Sequence, residues 1–140
     1  MAITTAICSS YKQQLFLAEH DMDTHTIKAA LYSSSATLSA ATTAYSSTNE
    51  ITGTGYTAGG SNLDSPTVSL SGTTAFVDFA DESWTVATFT TRGVMIYNDT
   101  HSGNAAISVH DFGSDKSVTA GTFTLQFPTA DASNAIIRIA

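Results

Sequence analysis

Apolar and polar residues alternate along most of this chain, as they do in strands that bury one face. Phe123, Leu125 and Phe127, for example, are each separated by one polar residue. Together with regularly spaced turn residues, this pattern predicts eight or nine short strands. The candidate strands are residues 26–32, 51–58, 67–71, 74–79, 84–91, 94–98, 105–112, 122–127 and 135–139.

Turn residues separate these candidate strands. The predicted turns are residues 59–60, 71–72, 81–82, 99–104, 113–121 and 128–134, most of which contain Gly, Asn or Asp. Residues 33–48 are small and have no clear period, and they are too many for a tight turn. We therefore expect an ordered surface loop there, with a short helical turn.

Only one segment has the period of a helix. Tyr11, Leu15 and Ala18 lie on one helical face, and Ser10 with Gln13 has the spacing of a capping box. These residues predict one short N-terminal helix, from about residue 9 to residue 20.

These elements predict an all-β protein with a single domain at residues 1–140, a β-sandwich or a jelly-roll-like fold. No internal repeat or linker divides the chain. The period-two positions predict a core, which consists of Phe76, Phe79, Trp84, Ile96, Ile107, Val109, Phe123, Leu125 and Phe127.

The composition indicates a surface that is rich in hydroxyl groups and poor in charge. Ser and Thr account for 41 of the 140 residues, whereas only five residues are basic and twelve are acidic. A free enzyme normally carries more charge for solubility. The composition therefore favours a protein whose surface is largely covered by copies of itself or by partners.

The charge also excludes some classes of partner. With a net charge of −7, the chain cannot neutralise a run of phosphates, so we expect no nucleic-acid binding. It offers neither a basic amphipathic helix nor an apolar stretch of the length that a membrane span needs. Residues 1–20 do not have the pattern of a secretory signal.

Two clusters of polar residues are candidates, one for a metal site and one for acid–base catalysis. His20, Asp21, Asp23 and His25 are the densest group of metal-capable side chains, but acidic turn and helix-end residues explain them without a metal. Asp78, Asp81 and Glu82 resemble the paired carboxylates of acid–base catalysis, but a hairpin turn with acids in water explains them too.

Other short matches carry no chemistry. The Asp111-Phe112-Gly113 triplet lacks the other kinase motifs, the glycine-rich run 53–60 lacks the ending of a phosphate-binding loop, and Asn98-Asp99-Thr100 is a sequon without a secretory context. Cys8 is expected to be a small buried residue. No catalytic, metal-binding or cofactor-binding residues are therefore predicted, and we expect no enzymatic activity.

Several segments, taken in order, resemble a group of small virion proteins of tailed bacteriophages, including those of cyanobacteria. The resemblance covers nearly the whole chain. It is carried by residues 31–38, 43–45, 48–50, 53–60, 75–79, Trp84, 92–93, 96–98, 111–113 and 127–131. It implies a non-enzymatic structural protein present in many copies, and it assigns no functional residues.

Among virion roles, the single domain favours a capsid decoration (cement) protein on the outer capsid surface, made in the host cytoplasm. The expected partner is the major capsid protein. One alternative is a component that attaches the tail or a head fibre. Another is a carbohydrate-binding module in which Trp84, Tyr56 and Tyr97 stack on sugars. A hydrolase would require a His within hydrogen-bond distance of a Ser in a cleft.

Two expectations concern assembly. The scarce surface charge predicts self-association as trimers or as rings of higher order, and the three-fold sites of a shell favour a trimer. Residues 1–8 and 33–60, which are rich in Ala, Ser, Thr and Gly, are expected to contact the capsid through main-chain hydrogen bonds.

Overall fold

A computed structural model describes residues 2–140 and contains two antiparallel sheets and one short helix. The sheets have the strand orders β1-β7-β6-β2-β3 and β4-β5-β8. The all-β prediction is confirmed. The elements are β1 (Ala6–Ile7), α1 (Ser9–Phe16), β2 (Ile27–Tyr32), β3 (Ser61–Asn62), β4 (Thr67–Ser71), β5 (Thr74–Asp78), β6 (Glu82–Asn98), β7 (Ala106–Leu125) and β8 (Ile137–Ile139).

The larger sheet is built around a long hairpin, and this differs from the predicted short strands. The candidates at 84–91 and 94–98 form one strand, β6. The polar segment 113–121, predicted as a turn, lies within β7, and four of its residues pair with β6: Lys116, Ser117, Val118 and Gly121. Four register shifts interrupt the pairing. The bulges absorb the extra residues, so glycines that normally mark a turn remain inside the ladder.

The helix ends four residues earlier than predicted. The N–H groups of Leu17 and Glu19 both donate to the carbonyl of Gln14, and Ala18 has a φ of 57°. A residue in the left-handed conformation commonly ends a helix, and here Ala18 directs the chain away from the helix axis. The helix therefore spans only Ser9–Phe16.

The predicted strand at 51–58 is wrong. These residues form a loop that touches the larger sheet through single bridges, among them Thr54 to Thr88 on β6. Residues 33–48 form an ordered loop, as expected, but with two hydrogen-bonded turns, Ser33 to Ala36 and Ser39 to Thr42, instead of a helical turn.

The core lies under the larger sheet, around β2, β6 and β7. Seven of the nine predicted core residues are buried, and Phe123 and Phe127 are partly buried against them. Within residues 2–140, no helix is both long and apolar enough to cross a membrane.

Candidate interaction surface

An exposed apolar surface lies where α1 meets the three-stranded sheet. Phe16 is 94% exposed, Leu70 73%, and Val68 and Ile139 are each 55% exposed. We call these four residues the apolar face. Exposed apolar side chains that cluster in this way mark contact sites more often than single ones do.

The smaller sheet explains why these side chains lie together. Val68 pairs with Val77 and Val77 with Ile137, so these three residues share one side of the sheet with Leu70 and Ile139. Val77 and Ile137 are buried in the core, whereas the other three lie beyond its edge. The sheet thus buries only part of its apolar side.

Two adjoining grooves, of about 590 and 520 Å³, run along the apolar face. Both are lined by Tyr11, Leu15, Ile137 and Ile139, which form their shared centre. Asp21 and Asp23 line only the larger groove, and Lys12 and Arg138 line only the smaller one. The surface therefore has an apolar centre, an acidic end and a basic end.

A second candidate surface is the outer edge of β7. Strand β1 pairs with β7 only at Ser108 and Val109, and among the described residues no strand pairs with that edge between 112 and 125. We call residues 112–125 the β7 edge. It presents free main-chain groups, which are a template for pairing with another strand.

Five of the fourteen residues of the β7 edge are Ser or Thr, and hydroxyls of β6 face some of them. Across the hairpin, the hydroxyl oxygens of Ser83 and Thr124 lie 3.0 Å apart, and those of Thr90 and Ser117 lie 2.7 Å apart. All four residues are exposed. Such cross-strand pairs support the strand ladder and leave a polar surface with little charge.

The three aromatic residues of the carbohydrate-binding alternative are buried or partly buried. Trp84 and Tyr97 are buried, and Tyr56 is partly buried against the core. The Tyr56 hydroxyl donates to Oε1 of Glu50 at 2.6 Å, and the Tyr97 hydroxyl to the carbonyl of Gly59 at 2.6 Å. These rings cannot stack on a sugar, so the observation behind the carbohydrate-binding alternative is removed.

Glu50 is a structural residue that the sequence did not single out. Its Oε2 accepts a hydrogen bond from Tyr45 at 2.6 Å, while Oε1 also accepts from the N–H of Gly59 at 2.8 Å. Burial is the main reason that the pKa of Tyr45 rises, to about 12. The carboxylate therefore links three residues of the 44–60 loop to one another, and only its contacts reveal this role.

Two of the candidate metal ligands meet at a buried amide instead of a metal. Nδ2 of Asn98, which is fully buried, donates to Nδ1 of His20 at 3.0 Å and of His25 at 2.9 Å. Oδ1 of Asn98 accepts from the N–H groups of Thr100 and His101, which fixes the orientation of the amide. Both Nδ1 atoms are therefore unprotonated acceptors.

The amide thus uses the lone pairs that a metal would need on His20 and His25. Oδ1 of Asp21 accepts from the N–H groups of Asp23 and Thr24, as a turn-forming residue does. Within residues 2–140, no three His, Cys, Asp or Glu side chains are arranged to hold a metal ion. Burial also lowers the pKa of His20 to about 4, so the ring is neutral at neutral pH.

The other carboxylates hold local structure. Oδ1 of Asp81 accepts from the N–H of Phe127 at 2.9 Å, and Asp78 lies in β5 while Glu82 begins β6. Oδ1 of Asp111 accepts from the N–H of Gly113 and from Arg92, and these bonds lower the pKa of Asp111. The Asp111 triplet is therefore part of a strand.

One Ser and one His lie within hydrogen-bond distance. Oγ of Ser108 is 2.9 Å from Nε2 of His110, two residues along β7. Ser108 is fully buried, and neither residue lines the grooves described above. Cys8 is buried as expected, and burial raises the pKa of its thiol to about 11.

The segments expected to contact a capsid are largely used within the protein. Ile3 and Cys8 are buried, and the N–H of Thr4 donates to the carbonyl of Leu38. A Cβ at Gly53 or Gly60 would overlap the carbonyl of Thr88 or Ala29. Close approach to the sheet therefore accounts for both glycines, without a partner.

The sequence did not single out the apolar face. Its residues belong to the same alternating pattern as the core, so only the packing shows which apolar positions lie beyond it. Comparison of the chain with models of protein families, with curated proteins and with solved structures found no match.

Proposed function

We propose that this protein is a non-enzymatic structural component of a tailed-bacteriophage virion, a decoration protein that binds the outer capsid surface and stabilises the shell. The sequence resemblance gives the virion context. The β7 edge is the observation that supports attachment, because it offers main-chain pairing over a long strand with few charges nearby.

Attachment through the β7 edge follows from strand addition. An extended segment of the major capsid protein adds to the sheet next to β7, and main-chain hydrogen bonds supply the affinity. The register shifts opposite residues 111–116, 118–121 and 121–123, together with the charge of Lys116, limit unspecific pairing of the edge. Repetition over a shell then gives firm retention from many weak contacts.

This form of attachment should resist salt. Only Asp115 and Lys116 are charged between residues 113 and 124, so few ion pairs are available to be screened. We expect the protein to stay on purified particles from low to molar salt. Release by moderate salt would indicate an electrostatic contact at another surface.

The first experiment locates the chain. Particles of the phage that encodes it are purified, their proteins are identified by mass spectrometry, and a reconstruction by electron cryomicroscopy shows where the chain lies. Density on the outer capsid face supports the proposal. Density at the tail or at a head fibre supports the attachment alternative, and absence from the particle refutes a virion role.

Two double variants test whether the protein binds the capsid through the β7 edge. Ser117→Lys with Thr119→Lys places two lysines at the β7 edge, where lysine opposes strand pairing. Ser34→Lys with Thr37→Lys makes the same charge change in the exposed 33–48 loop. Loss of particle binding with the first pair only is expected. Loss with the second pair only would assign attachment to the loop instead.

A further inference from the structure

The apolar face is unusual for a surface that remains in water. Each of its four side chains, Phe16, Val68, Leu70 and Ile139, leaves more than half of its surface exposed. Phe16, Val68 and Ile139 line grooves whose centre is also apolar, and Leu70 shares one side of the smaller sheet with Val68 and Ile139. Burying these side chains against another protein surface would remove apolar area from water and is therefore favourable.

Basic and acidic residues lie at different ends of the apolar face. Lys12 and Arg138 lie at the end formed by α1 and β8, and Asp21 and Asp23 at the end beyond the helix. The shared centre, with Leu15 and Ile139, lies between them. In a chain with five basic residues, two of them at one end of this face are a notable concentration.

We propose that a second copy of this chain covers the apolar face and forms a two-fold symmetric dimer. A two-fold axis through the shared centre places the same apolar residues against each other. It also brings the basic end of each copy to the acidic end of the other. The face is therefore complementary to itself, as an isologous interface requires.

The area is sufficient for such a contact. Four large apolar side chains that are mostly exposed supply on the order of 500 Å² per copy, so the pair buries about 1,000 Å². This is about the lower limit for a specific interface. The groove walls and the charged rims add to it.

This inference goes beyond the proposed function, because it concerns the self-association expected from the composition and does not rest on the virion role. The β7 edge belongs to the other sheet, so a dimer leaves the proposed capsid contact free. A trimer at the three-fold sites of a shell would require a different surface of the chain, and the two-fold contact does not depend on it.

A charge exchange tests the symmetry. Lys12→Glu and Asp23→Lys each place like charges together across the interface, and both residues are exposed. We expect each single variant to raise the dimer dissociation constant by about five- to tenfold, measured by sedimentation equilibrium. The double variant should restore it to within about threefold of the wild type, because the charges then attract again.

The control for charge is Lys116→Glu, the same change away from the face, which should leave the dissociation constant unchanged. A double variant that remains as weak as the single ones would refute the two-fold pairing. A wild-type chain that stays monomeric at high concentration, or forms only trimers, would also overturn the proposal.

A second pair of variants tests the apolar contact. Leu70→Glu should abolish the dimer while the circular dichroism spectrum stays the same, since the side chain is 73% exposed. Val86→Glu is the matched control, because Val86 is 75% exposed but lies on β6 in the larger sheet, whereas Leu70 lies on β4 in the smaller sheet. A dimer that persists with Leu70→Glu overturns the proposal.

These assays use the isolated protein, whereas the proposed function is tested on particles. A chain that dimerises but is absent from virions refutes the virion role and supports this inference. A chain that is found on the capsid but stays monomeric in solution supports the virion role and refutes the dimer.

Discussion

Replacement of one buried amide should change the sign of the pH dependence of stability. Asn98 is fully buried and donates through Nδ2 to Nδ1 of both His20 and His25. Asn98→Asp keeps the size of the side chain but places a carboxylate oxygen against two unprotonated nitrogens. The two Nδ2 donor bonds are lost, and the buried carboxylate keeps the N–H groups of Thr100 and His101 but has no cation beside it at neutral pH.

The two proteins should respond to acid in opposite ways. In the wild type the folded-state pKa of His20, about 4, lies below the unfolded value of about 6.5. Its contribution to stability is therefore present above about pH 6.5 and is lost as the pH falls towards about 4. In the variant the carboxylate raises the pKa of His20, so stability is gained on acidification.

The size of the effect follows from the burial of the amide. Removing one partner from a buried charged pair costs about 3–5 kcal/mol, and the carboxylate in Asn98→Asp is in that situation at about pH 8. At about pH 5 a protonated ring donates to it, and the difference from the wild type should fall below about 2 kcal/mol.

The assay is urea unfolding, followed by circular dichroism at both pH values. Asn62→Asp is the matched control, because Asn62 is exposed in β3 and the change should leave the pH profile parallel to that of the wild type. Parallel profiles for Asn98→Asp would show that the amide does not face both rings, and would refute the assignment of their protonation.

Three further predictions concern packing. Trp84→Ala should cost about 3–5 kcal/mol in urea unfolding, since the indole is 5% exposed, and a loss under about 1 kcal/mol would place it at the surface. Gly60→Ala should lower the unfolding temperature far more than Gly113→Ala, because only Gly60 has a neighbour, the carbonyl of Ala29, in the way of a Cβ; equal shifts would contradict this packing. Cys8, with its thiol pKa raised to about 11 by burial, should react with a thiol reagent only in denaturant, and rapid labelling of the folded chain would disagree with its burial.

The period of two in the sequence determined the fold class and most of the core. Alternation at Ile107 and Val109, for example, predicted a strand with one buried face, and both residues are buried. The start of the helix near residue 9 was also predictable from the helical spacing, but the predicted capping box of Ser10 with Gln13 is wrong, because the cap position is Cys8 and no side chain caps the helix there. These are local properties, set by neighbouring residues along the chain.

The ends and lengths of elements depended on contacts with distant residues. Residues 113–121 have the composition of a turn, yet they lie in β7 because bulges let them pair with β6. The helix stops at Phe16 because Ala18 takes a left-handed conformation that its residue type does not specify. Composition at these positions permits several conformations, and the energy of pairing selects one.

The candidate surfaces were decided by the tertiary structure alone. Val77 and Leu70 are equally apolar and both lie in strands, but Val77 packs against the core and Leu70 lies beyond it. His20 and His25 resembled metal ligands until Asn98, more than 70 positions away, used their lone pairs. The sequence determines which side chains are available, but burial and hydrogen-bond partners are properties of residues brought together by folding, and they decide what each side chain can still bind.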